Sequence, residues 1–177
     1  MKRTQLLFVS LMLLMWLVNG GFVAAPAETI RWETIEAASL AAPQDGKKLL
    51  VDLYTDWCGW CKVMDRETYS DPRVVKYINE HFHPVKFDAE QKGKIEVGGE
   101  TFDYVAGRRI HSLALSMFGE NRPSYPTTVF FEKNLEIITQ APGYIEADEM
   151  LMILHFLGSD SYKKMSWDEF SRTYKPE

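Results

Sequence analysis

The sequence contains few cysteines and fewer basic than acidic residues. Cysteine accounts for 2 of the 177 residues, which excludes a small secreted fold held together by several disulfides and a zinc site built from four thiolates. The net charge is -5 at pH 7, and a negatively charged protein repels phosphate, so a general nucleic-acid binder is also excluded. Residues 1–27 contain two basic residues and no acid, so without them 18 basic residues face 25 acidic ones and the net charge is -7.

The sequence also lacks an apolar run at the N-terminus long enough to cross a membrane. The apolar block at residues 6–18 is shorter than the roughly 20 residues that a spanning helix needs. A basic pair before the block and small residues after it are typical of an export signal, cleaved after Ala25 or Ala27. We therefore predict a signal peptide over residues 1–27 and a periplasmic or other extracytoplasmic location. A retained membrane anchor is the alternative.

The alternation of strand-like and helix-like patterns predicts one α/β domain over residues 28–158. Strands are expected at 30–32, 48–55, 84–88, 128–131 and 136–140. Helices are expected at 34–42, 58–68, 72–82, 108–118 and 147–157, with Pro43 ending the first of them. The strand–helix–strand order at 48–88 predicts a parallel pair, and the short turn after residue 131 predicts an antiparallel one.

Two further segments lie outside this pattern. An insert at about 93–106 is expected to form a β-hairpin, because Gly98-Gly99 suits a tight primed turn. In a C-terminal extension over 159–177, a capping-box pattern that begins at Ser166 predicts a short helix docked by Trp167 and Phe170. The insert is either a decoration of the fold or a specificity element, and the C-terminal helix is expected to be a structural cap.

Two groups of charged or titratable side chains outside the pattern have a plain surface interpretation. Arg108 and Arg109 lie at a predicted helix start, where cations oppose the helix dipole, so we expect Asp103 or a nearby glutamate to pair with them. A partner contact is the alternative. His81 and His83 lie at the end of a predicted helix and are expected to be solvated.

The two cysteines, Cys58 and Cys61, are separated by two residues at a strand-to-helix junction. A ring this small closes too little chain to stabilise a fold by entropy, so a redox function is favoured over a structural bridge or half a metal site. Helix N-termini favour a thiolate, which makes Cys58 the expected nucleophile. Cys61, one turn deeper, is expected to resolve the mixed disulfide.

Asp52 is the one charged residue inside the apolar part of the strand that precedes the cysteines. A carboxylate in such a strand must be neutral, paired or functional. An ordinary paired core carboxylate is possible, but the dithiol six residues later favours a functional group.

The stretch from Val51 to Lys62, Val-Asp-Leu-Tyr-Thr-Asp-Trp-Cys-Gly-Trp-Cys-Lys, resembles the active-site region of thioredoxins. Its Trp-Cys-Gly-Trp-Cys-Lys form and the export signal are most similar to exported bacterial thioredoxin-related proteins. The resemblance covers roughly residues 30–157. It implies a thioredoxin fold, with a central mixed β-sheet flanked by helices, to which the inserted hairpin and the helical extension are added.

The resemblance also implies roles for individual residues. Asp52 corresponds to the buried proton acceptor for the resolving thiol, and Lys86 to the lysine beside it. Pro126 corresponds to a cis-proline that faces the dithiol, where the backbone of Tyr125 binds substrate as an added strand. The candidate substrate-contact residues are Trp57, Gly59, Trp60, Tyr125 and Pro126.

Two departures from classical thioredoxin leave the direction of electron flow open: Trp60 replaces a proline, and Tyr125 replaces a small aliphatic residue. We expect an enzyme of cell redox homeostasis, without cofactor or metal, that reduces disulfides in exported proteins. Its partners are expected to be thiol- or disulfide-containing proteins and a membrane electron donor. The alternatives are a disulfide oxidase or isomerase, and a partner-binding module without turnover. The sequence does not predict an oligomeric state.

Overall fold

The structure is a computed structural model and describes residues 28–119 and 123–175. The predicted signal peptide at residues 1–27 therefore lies outside the described residues. In the described part, each helix is too short or too polar to cross a membrane.

A four-stranded mixed sheet forms the centre of the molecule, in the order β2-β1-β7-β8. Its strands are β1 (Lys48–Tyr54), β2 (Phe82–Asp88), β7 (Thr127–Phe131) and β8 (Ile137–Pro142). The β1–β2 pair is parallel, whereas the β1–β7 and β7–β8 pairs are antiparallel. The predicted sheet is therefore confirmed. The predicted strand at 30–32 is wrong, because these residues do not pair with the sheet, and the neighbouring Glu33 forms one isolated bridge with Val85.

Helices cover both faces of the sheet, and in the described part each α-helix except the fifth begins with a side-chain cap. They are α1 (Ile35–Asp45), α2 (Gly59–Glu67), α3 (Pro72–His81), α4 (Ser112–Phe118), α5 (Ala147–Gly158) and α6 (Trp167–Thr173). Asp71 caps α3, with Pro72 in the first turn, where a missing N–H costs little. The predicted end of α1 is wrong, since the helix continues through Pro43 to a left-handed Gly46.

The insert contains the predicted hairpin, formed by β3 (Ile95–Val97) and β4 (Glu100–Phe102). Gly98 and Gly99 both have positive φ, at 64° and 82°, as a primed turn requires. A second small pair follows, β5 (Tyr104–Val105) with β6 (Ile110–His111).

The predicted helix start at Arg108 is wrong. Arg109 has a φ of 55°, residues 110–111 pair as a strand, and the helix begins at Ser112. The expected ion pairs of the two arginines are also absent among the described residues.

Side chains that alternate along β1 divide the core in two. Leu49, Val51 and Leu53 pack with α1 and α4 on one face, and Leu50 packs with α2, α3 and α5 on the other. Asp52 is two residues beyond Leu50, so its side chain points to the α2 side of the sheet.

The C-terminal extension packs at the end of the sheet where β1 begins. Lys48, the first residue of β1, forms an ion pair with Asp160 at 2.7 Å. The predicted capping box at Ser166 is present. The ring of Phe156 contacts Trp167 and Phe170, at centroid distances of 5.3 and 5.1 Å, so these residues dock α6 as predicted.

Candidate active site

Cys58 and Cys61 form a disulfide at the first turn of α2. Strand β1 ends at Tyr54, and a turn in which the Cys58 N–H donates to the Thr55 carbonyl (3.1 Å) leads into the helix. Cys58 is the N-cap, and its Sγ accepts a hydrogen bond from the Cys61 N–H at 3.0 Å. Both cysteines are nearly buried, with exposures of 4% and 3%. The helix start therefore directs a backbone donor at the Cys58 sulfur, which favours a thiolate there.

Two exposed tryptophans lie beside this buried disulfide. Trp57 is 65% exposed and Trp60 is 62% exposed, and Gly59 lies between Cys58 and Trp60 as the first residue of α2. The ring of Trp57 meets Tyr125 edge-on at 5.9 Å, and the ring of Trp60 lies 5.6 Å from Tyr144. Large exposed aromatic groups are typical of protein contact surfaces.

The Tyr125–Pro126 peptide bond is cis, as the resemblance implies. Pro126 directly precedes β7, and its carbonyl accepts the Gly143 N–H at 2.8 Å, which ties this turn to the end of β8. Because Tyr125 contacts Trp57, the structure brings the loop before β7 to the dithiol. The predicted site residues of the two segments therefore lie side by side, although about 65 residues separate them in the chain.

Asp52 is 1% exposed, in the middle of the sheet. Its Oδ2 accepts a hydrogen bond from Lys86 Nζ at 3.0 Å, while Oδ1 is without a hydrogen-bond partner among the described residues. Burial raises the pKa of Asp52 to about 6, although the Lys86 ammonium opposes that rise. This carboxyl can therefore exchange a proton near neutral pH.

Lys86 lies directly across from Asp52 in the β1–β2 register and contacts a second carboxylate, Asp65 of α2. The rings of Tyr54, Trp32 and Tyr69 also surround its ammonium, at 5.0, 5.3 and 5.8 Å. Burial alone would lower the pKa of Lys86, but the two carboxylates outweigh burial and raise it. Lys86 therefore stays charged in the range where Asp52 titrates.

Asp65 was not predicted from the sequence. Its side chain is partly exposed on the short helix α2, and the lysine that it contacts is 21 positions away, so no local pattern marks it. Its position one turn after Cys61, on the face of α2 that meets β2, is the one signal that could have identified it.

The expected solvated position of His83 is wrong. His83 is 8% exposed because it lies in β2. Its Nδ1 is 2.9 Å from Glu33 Oε1, and its Nε2 is 3.1 Å from Asp45 Oδ2. These contacts join the N-terminal segment and the end of α1 to the sheet. They do not form a metal centre, since no cluster of His, Cys, Asp and Glu in the described part could hold an ion.

Three acidic residues, Asp56, Asp88 and Glu90, interact with one another or with Tyr125 beside Trp57. Burial, together with the charges of Asp56 and Glu90, raises the pKa of Asp88. Burial also raises the pKa of Tyr125 to about 12, with Glu90 and Asp88 adding to the effect. Negative charge therefore lies near Tyr125, which contacts Trp57.

The family model Thioredox_DsbH, described as a protein of unknown function, DUF255, matches residues 22–157. The chain is 26% identical over 155 residues to the thiol:disulfide interchange protein DsbD of Yersinia pestis (strain Pestoides F), covering 84% of the chain and 23% of that relative. It is 48% identical over 60 residues to DsbD 1 of Pseudomonas aeruginosa, covering 32% and 10%. The chain thus spans about a quarter of the length of the first of these curated relatives, and less of the second.

Solved structures with the same fold confirm the predicted fold. A DsbH oxidoreductase has a TM-score of 0.56 at 16% identity, covering 80% of this chain and 92% of that one. A thioredoxin from Thermus thermophilus has a TM-score of 0.56 at 19% identity, covering 84% and 99%. A putative disulphide-isomerase from Bacteroides thetaiotaomicron has a TM-score of 0.55 at 27% identity, covering 77% and 98%.

Proposed function

The chain belongs to the Thioredox_DsbH family (DUF255) and is a thioredoxin-like disulfide oxidoreductase, and on this premise we propose that it reduces disulfides in exported proteins. The observation that carries the proposal is the disulfide at the start of α2, which has a backbone donor on Cys58 and a buried carboxyl, Asp52, in the adjacent strand.

The reaction begins from the reduced pair. The Cys58 thiolate attacks one sulfur of a substrate disulfide, so that a Cys58–substrate bond forms and the second substrate sulfur leaves as a thiolate. The N–H of Cys61, which lies 3.0 Å from Cys58 Sγ in the disulfide form, supports Cys58 as the attacking residue.

The second step releases the substrate. Asp52 takes the proton of the Cys61 thiol, and the Cys61 thiolate then attacks Cys58 Sγ and expels the other substrate sulfur, which gains a proton. The substrate gains two electrons, and the protein pair becomes a disulfide. Asp52 Oδ1, which has no hydrogen-bond partner in the described part of the chain, and the pKa of about 6 support Asp52 as the base. The hydrogen bond from Lys86 to Asp52 supports Lys86 as the neighbouring cation.

The substrate segment binds on the surface formed by Trp57, Gly59, Trp60, Tyr125 and Pro126. Trp57 and Trp60 supply exposed apolar area at low entropic cost. The backbone of Tyr125 and Pro126 offers an edge to an extended peptide. The contact between Trp57 and Tyr125 supports their acting as one surface.

The charges at this end of the sheet support reduction as the direction of electron flow. An oxidant of this type has a stabilised reduced form, whereas a reductant does not. The helix start stabilises a Cys58 thiolate, whereas Asp56, two residues before Cys58, and Asp88, which pairs with Tyr54 at the end of β1, place negative charge at this end of the sheet. We therefore expect a reduction potential closer to the about -270 mV of thioredoxin than to the about -120 mV of a strong oxidant.

The cellular setting completes the proposal. Residues 1–27 direct export, residues 28–158 form the catalytic domain with its insert at about 93–106, and residues 159–177 form an extension. The protein works in the periplasm or another extracytoplasmic space, and a membrane thiol-disulfide protein supplies its electrons. The similarity to DsbD, a thiol:disulfide interchange protein, supports such a donor.

A trapping experiment tests the function. Cys61→Ser retains the nucleophile but cannot resolve, so it should accumulate mixed disulfides with exported proteins. Cys58→Ser is the matched control and should trap none. The wild type should reduce insulin, and both variants should fall to the background rate. If Cys61→Ser traps nothing and the wild type leaves insulin intact, the chain is a binding module rather than an enzyme.

The likeness to a putative disulphide-isomerase favours one rival. An isomerase rearranges scrambled disulfides without net reduction, so it should restore scrambled ribonuclease in a buffer that keeps total thiol constant. A measured potential near -120 mV, or such restoration without insulin reduction, would replace the reductase proposal with the oxidase or isomerase alternative.

A further inference from the structure

Lys86 is shared between two carboxylates that differ in their access to water. Asp52 is on β1 with a side-chain exposure of 2%, whereas Asp65 is on α2 with an exposure of 42%. Lys86 itself is 22% exposed. One ammonium therefore joins a buried carboxyl, which the proposed reaction protonates, to an outer carboxylate that the reaction does not use.

A second carboxylate is important because proton uptake by Asp52 leaves the Lys86 ammonium without its buried counter-ion. When Asp52 becomes neutral, Lys86 loses its buried counter-ion, and an unpaired ammonium that is largely desolvated is costly. With Asp65 in contact, the ammonium keeps an anionic partner in both states of Asp52. The rings of Tyr54, Trp32 and Tyr69 hold Lys86 in place between the two acids.

The outer acid also faces water. A cavity of about 450 Å³ lies beside it, lined in part by Glu28, Trp32, Asp65, Tyr69 and Lys86. Asp65 and Lys86 thus line a cavity, whereas Asp52 is buried.

We propose that Asp65 is a positioning residue that acts as the second counter-ion of Lys86, so that Asp52 can accept the Cys61 proton while the ammonium stays paired. The inference rests on the proposed function, in which Asp52 is the base. Without Asp65, the lysine depends on Asp52 alone and holds it in the ionised form.

The other groups around Asp52 do not supply this effect. Tyr69 hydrogen-bonds to Thr128 of β7 and, because it is buried, has a pKa well above its ordinary value, so it stays neutral. The pKa of Tyr54 is also raised, by burial and then by nearby acids. Lys86 and Asp65 are therefore the charged side chains that change the proton affinity of Asp52, and Cys61 is its proposed proton donor.

The test follows the carboxyl of Asp52 by carbon NMR as the pH is varied. Asp65→Asn should lower the midpoint of the Asp52 titration by about one pH unit, within the range expected when a neighbouring charge is removed. Asp65→Glu should restore most of the shift. Glu28→Gln is the matched control, because it removes a carboxylate from the same cavity, and its midpoint should equal that of the wild type.

The pH–rate profile and the activity assays distinguish a failure of this inference from a failure of the proposed function. In Asp65→Asn, the acidic limb of the pH–rate profile for insulin reduction should move in the same direction as the Asp52 midpoint. If the wild type reduces insulin but the Asp52 midpoint in Asp65→Asn is unchanged or higher, the counter-ion role is wrong. If the wild type neither reduces insulin nor traps substrates as Cys61→Ser, the proposed function fails, whatever the titration shows.

Discussion

Lys48 and Lys86 lie toward opposite ends of the parallel β1–β2 pair, and both pair with aspartates. Lys48 is 8% exposed, and its partner Asp160, at 2.7 Å, has a side chain that is 45% exposed. The hydrogen bond from Lys48 lowers the pKa of Asp160. At the other pair the exposures are reversed, since Asp52 is the buried partner and its pKa is raised.

The comparison shows that the placement of the carboxylate, rather than the presence of the lysine, decides what such a pair does. A carboxylate at the surface keeps its water and gains a cation, so it remains ionised and ties the C-terminal extension to β1. For a carboxylate inside the sheet, the free-energy cost of desolvation exceeds the stabilisation by one shared ammonium. The first arrangement stabilises, and the second keeps a proton site available.

Replacing Asp52 by Asn should have the largest effect of the changes to the two lysine–aspartate pairs. Loss of the proposed base should slow insulin reduction about a hundredfold at pH 7, the lower end of what general base catalysis contributes. The same change should increase the free energy of unfolding of the oxidised protein, measured with urea at pH 8. A variant that is both slower and less stable would place Asp52 in the same class as Asp160.

The pH dependence of that stabilisation has a definite sign. The pKa of Asp52 rises from 3.8 to about 6 on folding, so its ionised form destabilises the folded state, and stability is lost as the pH rises from about 4 to about 6. At 1.36 kcal/mol per pH unit, the loss is about 3 kcal/mol. Asp52→Asn should therefore show its advantage above pH 6 and little below pH 4. Asp160 has a lowered pKa, so its contribution is lost in the opposite direction, as the pH falls.

Replacing the exposed tryptophans beside the dithiol should have a smaller effect on the rate, and that effect should be confined to protein substrates. Trp57→Ala and Trp60→Ala should each lower kcat/KM for insulin about tenfold, the loss expected for a central aromatic contact. Reduction of a small aromatic disulfide should change little. Trp167→Ala, at the other end of the molecule, is the matched control for both substrates. Equal losses on insulin and the small disulfide would mean that the tryptophans support the dithiol itself.

Breaking the Lys48 pair should have the smallest effect. Asp160→Asn should lower the free energy of unfolding by about 1 kcal/mol, because a nearly buried ammonium loses its charged partner. Asp148→Asn removes an exposed ion pair with Arg73 and should cost less, as surface pairs do. Neither variant should alter the rate of insulin reduction. A slower Asp160→Asn would link the two ends of the sheet.

The sequence predicted those parts of the fold that depend on neighbours in the chain. The β1 strand, the cap at Asp71, the turn at Gly98-Gly99 and the capping box at Ser166 each have short-range signals, and each is present. The error at Pro43 has a local cause too, because a proline removes one N–H donor, and α1 continues past it to Asp45, where the Gly46 N–H donates to the Ala42 carbonyl. At Arg108 the helical spacing of apolar residues concealed a strand pair and a left-handed turn.

The site was predictable to a similar extent. The thioredoxin resemblance supplied Asp52, Lys86 and Pro126, and their placement agrees with the expected geometry, while their roles stay predictions. The contacts of Asp65 and His83 were not predicted, since both residues interact with partners more than 20 positions away, and only the packing of α2 and the N-terminal segment against β2 brings those partners together. Long-range charge pairing leaves no periodic pattern in a sequence.

The outer strand β8 has a consequence for handling the protein at high concentration. The opposite edge, β2, is partly covered by the bridge between Glu33 and Val85, but no further strand pairs with β8 in the described part. Such an edge can pair with a strand from a neighbouring molecule. The exposed apolar side chain of Ile137, at 42% exposure, favours this association. Solubility should therefore be limited by β8, and a lysine at position 137 should raise it while leaving the chemistry at the other end of the sheet intact.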